Sequence, residues 1–363
     1  METYDNNRRV LVGMSGGVDS AVSAYLLKKN GYAPIGVNCR FFNNEDAFIS
    51  DKTCCSLDDA NDARAVANRL GLPFYVFNFT DAFRENVIEP FVQSYVSGET
   101  PNPCIECNRK LKFEKLLQRA LELGCDYVAT GHYARVSFDE GSGRWLLQKG
   151  VDPAKDQSYV LYCLTQQQLS HTLLPLGGLT KSEVRALAQT LDLPNAKKHE
   201  SQDICFVPDG DYASFIEQHL GKTFPSGDFV RKDGAVLGTH RGIIRYTIGQ
   251  RRGLGLALPA PLYVCEKDLA NNRVVLCSNE ELYSKTLTAR DVNLIAVPQI
   301  DRPLRVQAKV RYSQAAQPAT VEQLDESHIR VVFDEGQRAI TKGQAVVLYD
   351  GDTVVGGGTI DMV

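Results

Sequence analysis

Apolar positions recur with two different periods along this chain, and the change of period divides it. Over the first two hundred residues, short apolar runs alternate with stretches of helical spacing. Residues 9–14 form a β-run that ends in a glycine-rich turn, and residues 19–29 read as a helix. A second run covers 33–38. Ser56 then opens a helix with Asp59 three residues on, a capping-box pattern, and Ala60, Ala63, Ala67 and Leu70 share one face. Further runs cover 73–77 and 126–130, the latter after a helix at 111–123. Thr180 and Glu183 frame another capping box before a helix to about residue 191. This alternation predicts an α/β fold with a parallel, doubly wound, Rossmann-like sheet.

After Cys205 the texture changes. Residues 211–280 offer a short helix and glycine-rich β-runs, the pattern of a small central domain. Residues 281–363 carry alternating segments at 305–312, 328–333 and 345–349, which predict a C-terminal β-barrel beyond a catalytic domain at 1–210. Gly356, Gly357 and Gly358 read as a bulge or tight turn inside the last hairpin.

Composition changes this picture in three places. The polar N-terminus and the lack of any run of about 18 apolar residues predict neither a signal peptide nor a membrane span, hence a cytoplasmic protein. A formal net charge of −4 gives no global field for nucleic acid, so RNA contact would rest on local groups. Those available are Arg109, Lys110 and Lys112, then Arg245, Arg251 and Arg252, then Arg305, Lys309, Arg311 and Tyr312. Ten cysteines in a chain of this kind direct attention to metal, redox or nucleophilic roles before disulfides. Cys125, Cys163, Cys265 and Cys277 lie in apolar stretches and read as packed thiols.

Candidate chemistry follows the strands. Gly13, Met14, Ser15, Gly16, Gly17, Val18, Asp19 and Ser20 join the first strand to a helix. Glycines let backbone N–H groups approach an anion, the serines add hydroxyls, and the helix start adds positive potential. The Lys of a Walker loop is missing, so γ-phosphate transfer is not indicated. The S-G-G-x-D-S pattern resembles instead the pyrophosphate loop of enzymes that cleave ATP between its α and β phosphates. Asp19 suits a Mg²⁺ ligand there. Cys39 follows the second run, and Gly131 and His132 follow the fourth. Strand carboxyl ends are where open α/β sheets bind ligands.

The segment Thr100-Pro101-Asn102-Pro103-Cys104-Ile105-Glu106-Cys107-Asn108 precedes a basic helix. Its prolines are expected to hold Cys104 and Cys107 at a helix start, where the dipole lowers a thiol pKa. Cys205 is a third candidate thiol.

Taken with Ala129-Thr130-Gly131-His132-Tyr133, Lys155-Asp156-Gln157-Ser158-Tyr159, Ile204-Cys205-Phe206, Arg311-Tyr312 and Gly343-Gln344, these motifs resemble the tRNA-specific 2-thiouridylases in order and nearly end to end. That resemblance implies ATP-dependent adenylation of the wobble uridine C2 carbonyl, then sulfur transfer from a donor such as a cysteine desulfurase or relay protein. It implies ATP binding by Gly13 to Ser20, Cys39 and Gly131, with Cys107 as nucleophile and Cys205 as persulfide carrier. Asn102, Pro103 and Cys104 would face the target base, and His132, Lys155, Asp156, Gln157, Arg311, Tyr312 and Gln344 would touch tRNA. Many members of the family carry Asp where this chain has Cys104. The change leaves open a [4Fe–4S] cluster on Cys104, Cys107 and Cys205, a metal-free persulfide relay, a zinc site, or inert thiols. Two other functions compete: a small-molecule ligase using the same phosphate loop, and a non-enzymatic RNA-binding or cluster-scaffold protein. The first leaves the cysteines idle, the second the phosphate loop.

Overall fold

The computed structural model describes residues 8–42, 57–196, 198 and 204–363, so Ser56 and the segment around His199 lie outside the described residues. Five parallel strands form the first sheet, in the order Phe74–Asn78, Ala33–Arg40, Arg9–Gly13, Tyr127–Ala129, Thr172–Leu173. Strand order reverses on either side of Arg9–Gly13, which puts the carboxyl end of that strand at the topological switch point. Val10, Leu11 and Val12 are all fully buried. A strand covered by helices on both faces reads as a continuous apolar run, as this one does.

The helices Val18–Lys29, Leu57–Leu70 and Lys181–Thr190 close one face of the sheet around Val22, Val66 and Val184. The other face meets a second, larger core. It runs from Leu11 and Val37 through Phe91 and Phe206 to Val264 of the central domain and Val347 of the C-terminal one. One apolar cluster therefore joins all three parts of the molecule.

Four strands make the central sheet, ordered Tyr263–Asp268, Arg273–Cys277, Gly227–Arg231, Val236–His240. In the C-terminal part, Tyr283–Leu294 pairs with both Ile329–Arg338 and Thr353–Met362, closing six strands into the expected barrel.

Several features depart from the sequence expectation. A helical arm from Thr80 through Val96 was not anticipated. The hairpin formed by Ala134–Asp139 and Arg144–Lys149 leaves the parallel sheet and joins the barrel sheet through Gln148 and Thr353. The helix expected at 111–123 begins already at Pro103. Gly356, Gly357 and Gly358 form no turn. They lie inside the strand Thr353–Met362, where the register slips on both sides, between Leu348 and Tyr349 on one neighbour and between Arg290 and Asn293, opposite Gly358, on the other. Of the two readings, the bulge is the one observed. A Cβ on Gly357 would stand 2.5 Å from the Val346 carbonyl oxygen and 2.7 Å from the Tyr162 ring. The glycines permit close approach of the barrel to the catalytic domain.

Candidate active site

The phosphate loop is held from several directions. Met14 N–H donates to the Val37 carbonyl (2.7 Å), and Asn38 Nδ2 donates to the Met14 carbonyl (2.9 Å). Ser20 Oγ accepts from Ser15 N–H (3.2 Å) and donates to the Gly17 carbonyl (3.0 Å). Asn195 Nδ2 donates to the Gly16 carbonyl (2.9 Å). Gly17 caps the helix Val18–Lys29, so that helix start faces the loop. Gly131 packs against it: a Cβ there would lie 2.9 Å from Asp19 C and Ser20 N.

Asp19 is engaged by groups that motif reading did not single out. Lys181 Nζ reaches its two carboxylate oxygens at 2.7 and 2.8 Å, and Tyr133 Oη donates to Oδ1 at 2.8 Å. Lys181 opens the helix Lys181–Thr190, and its backbone N–H donates to Asp152 Oδ2 (3.0 Å). Its capping box was legible as a helix start; its cation, 162 residues from Asp19, was not.

The thiols sit on a single long helix. Asn102 caps it by accepting from Cys104 N–H (3.2 Å), and Pro103 occupies the first turn. Cys104 is exposed. Cys107 is only 9% exposed and starts a stretch of widened, π-type turns from Cys107 to Lys115. Such stretches are rare and frequent at functional sites. The expectation of a dipole-acidified thiol fails for Cys107. It lies past the first turn, and burial pushes its pKa up to about 11, with Lys112 pulling the other way. Burial likewise raises Cys39 to about 12, with Cys107 adding to the shift and Lys112 opposing it.

His132 also belongs to this interior. It is 8% exposed, packs against Phe113 at 5.9 Å, and meets Thr130 Oγ1 through Nδ1 at 2.7 Å. Burial first, and Lys112 second, hold its pKa well below the usual histidine value. In the free protein the ring is turned inward, against Phe113 and Thr130.

Three successive residues thus link the two halves of the site. Gly131 packs on the phosphate loop, His132 on the cysteine helix, and Tyr133 returns to Asp19. Gln157 clamps that segment, accepting from Tyr133 N–H through Oε1 (3.0 Å) and donating its N–H to the Tyr133 carbonyl (2.9 Å). Asp156 accepts from Gly150 N–H, Ser158 N–H and Ser158 Oγ–H. Lys155, beside them, is half-buried.

From the barrel, Gln344 Nε2 donates to the Thr100 carbonyl (2.8 Å), at the entry to the cysteine segment. Arg311 Nη2 donates to the Ala339 carbonyl (2.7 Å), Thr341 Oγ1 (2.9 Å) and the Ile248 carbonyl (3.2 Å). Arg311, Tyr312, Thr100 and Gln344 line one cavity of about 260 Å³. Beside it, Arg311 Nε and Thr100 Oγ1 are buried and have no hydrogen-bond partner among the described residues. Lys309 stacks on Tyr159 and Tyr312. Elsewhere the basic groups are committed internally: Arg109 to Glu106, Arg245 to Glu217, Arg305 to Asp334. Arg251 and Arg252 are exposed.

Cys205 is half-buried and is positioned by its neighbour. The Phe206 ring lies 5.7, 5.2 and 5.3 Å from those of Phe83, Phe91 and Phe215. Among the described residues, no three His, Cys, Asp or Glu side chains are placed to hold one metal ion.

Family models match nearly the whole chain: a tRNA methyl transferase HUP domain at 8–209, a tRNA methyl transferase PRC-barrel domain at 213–278, and an aminomethyltransferase beta-barrel domain at 284–360. The chain is 52% identical to the tRNA-specific 2-thiouridylase MnmA of Clostridioides difficile over 355 residues, 98% of each. It is 51% identical to that of Acetivibrio thermocellus, over 98% of this chain and 99% of the relative. With that likeness across all three domains, and a phosphate loop tied to a buried cysteine helix, the chain belongs to the tRNA-specific 2-thiouridylase family.

Proposed function

We propose that the protein is a tRNA-uridine 2-sulfurtransferase which activates the wobble uridine with ATP and replaces its C2 oxygen by sulfur. The observation that carries this reading is the run Gly131-His132-Tyr133, which ties the phosphate loop to the helix of Cys107. A uracil carbonyl oxygen is a poor leaving group. It bonds to the α-phosphorus of ATP as the α–β bridge breaks and pyrophosphate leaves. The outer sulfur of a Cys205 persulfide then bonds to C2 as the C2–O bond breaks and AMP departs. The Cys107 thiolate bonds to Cys205 Sγ, breaking the S–S bond and leaving sulfur on C2, and an external thiol reduces the resulting disulfide for the next turnover. Holding both reactants in one water-poor site supplies much of the rate.

Each half of the site has a part in this scheme. Loop N–H groups and the helix start would bind ATP phosphates, and Lys181 would offset charge on the departing pyrophosphate. Cys205 would carry sulfur delivered by a desulfurase or relay protein, and Cys107 would act as the nucleophile. Lys112 is the group that eases ionisation of Cys107 within the apolar interior. The cavity at Arg311 and Gln344 would receive tRNA beside the target base, whose edge is reached only once it is unstacked.

Asp19 fits a magnesium ion, which takes one or two carboxylates together with phosphate oxygens and would neutralise the leaving group. Cys104 is exposed and Cys107 buried, and the described residues gather no three ligating side chains about one metal ion. This supports a relay without metal over a [4Fe–4S] cluster on Cys104, Cys107 and Cys205. The relay without metal is the reading adopted. A tRNA acceptor fits a cytoplasmic enzyme, and no described helix is long and apolar enough to cross a membrane.

Purified protein given ATP, magnesium, an unmodified tRNA transcript and a persulfide donor should form 2-thiouridine and AMP in equal amounts. AMP formation with small acceptors but none with tRNA would overturn the assignment.

A further inference from the structure

Away from the candidate active site, one pair of thiols is set close enough to react. The strands Tyr263–Asp268 and Arg273–Cys277 are antiparallel neighbours in the central sheet, with Cys277 opposite Tyr263. Their register slips between Val264 and Glu266, at Cys265. A bulge re-aims the side chain of its extra residue. Cys265, in that bulge, is two residues from Tyr263, which pairs with Cys277 on the neighbouring strand, and each thiol acts on the other. Cys265 Sγ also lies 3.5 Å from the Val275 carbonyl oxygen.

Cys277 is buried, as its apolar sequence surroundings suggest, and Cys265 is half-buried. Neither belongs to the apolar clusters that include Cys107, Cys125 and Cys163. Charged groups surround them instead. The Lys232–Glu281 ion pair (3.1 Å) acts on both, and Arg338 acts on Cys277. Both thiols are free.

We propose that Cys265 and Cys277 form a redox site, a cross-strand dithiol that closes to a disulfide by exchange with a low-molecular-weight disulfide. Cys265, the more exposed, gives up its proton and bonds to one sulfur of the reagent, whose S–S bond breaks and releases one thiol. Cys277 then gives up its proton and bonds to the Cys265 sulfur, displacing the second reagent thiol. The protein loses two electrons and two protons, and the reagent is reduced to two thiols. Lys232 and Arg338 favour the Cys277 thiolate in the second step. Burial raises both thiols, Cys265 to about 12, so the exchange is slow at neutral pH and quickens in alkali. The new bond would pin the strand Tyr263–Asp268, an edge of the central sheet.

The test equilibrates the reduced full-length protein with glutathione disulfide and glutathione at graded ratios, alkylates free thiols and maps peptides by mass spectrometry. The expected product is a Cys265–Cys277 linked peptide that grows with the ratio, vanishes on reduction and raises the denaturant midpoint. In Cys277→Ser, which lacks the second thiol, a glutathione adduct should accumulate on Cys265. Both cysteines remaining alkylated at every ratio, or a lasting glutathione adduct on Cys265 in the wild-type chain, would overturn the proposal. The wild-type mapping decides the matter even where the variant does not fold.

Discussion

At the scale of single residues, the site opposes a buried thiol to a cation. With its pKa near 11, Cys107 is almost wholly protonated in the free enzyme at neutral pH. In a Cys104→Ser background, its alkylation by iodoacetamide should be slow at pH 7 and rise about tenfold per pH unit toward 11. A plateau near pH 9 would show an unburied thiol. Lys112→Met should slow the reaction further, since Lys112 is the group that lowers this pKa. Asp19→Ala should abolish ATP–pyrophosphate exchange while sparing tRNA binding, and Lys181→Met should cut exchange by roughly 10²-fold. Unchanged exchange in either variant would remove that ion pair from the mechanism. The sequence showed Asp19 because a local motif carries it. Lys181 escaped notice because a lysine at a helix start has no signature of its own; only the fold brings it to the carboxylate.

At the scale of elements, two anchors set the positions of the thiols. Phe206 fixes Cys205 by packing among three aromatic rings, and truncating a buried ring costs about 3–5 kcal/mol. Phe206→Ala should lose that much in denaturant unfolding and slow sulfur transfer more than ATP–pyrophosphate exchange. An equal fall in both would mean general loosening. Gln344 holds the entry to the cysteine helix by donating from Nε2 to the Thr100 and Pro101 carbonyls. Gln344→Ala should cost only about 1 kcal/mol in stability yet impair tRNA thiolation; a variant that thiolates normally would make the contact incidental. Strand and helix positions were readable from periodicity. The π-type turns at Cys107 were not, because they depend on how the helix packs between the sheet and the barrel.

At the scale of the whole molecule, a buried cation lies where the central domain meets the helical arm. Lys267 Nζ has no hydrogen-bond partner among the described residues, stands over the Tyr95 ring at 6.0 Å, and is held down to about pKa 8 by burial, against 10.5 in the open. Between those values the unfolded chain keeps a proton that the fold releases, so stability rises with pH across that window. Lys267→Met should stabilise the protein by on the order of 2–3 kcal/mol at pH 7 and by little above pH 10.5. An equal gain at both pH values would locate the effect in packing rather than charge.

The sequence by itself determined the parallel sheet, the barrel and the phosphate loop, because each follows from a local repeat or a contiguous motif. The tertiary structure alone decided which charges meet: Lys181 with Asp19, Lys112 with the buried thiols, and Gln344 with Thr100. It also turned His132 inward and raised the thiol that the helix start was expected to acidify. Periodicity says which face of an element is apolar. How deeply a polar group is buried depends on what packs over it, and at this site the barrel arrives from a distant part of the chain.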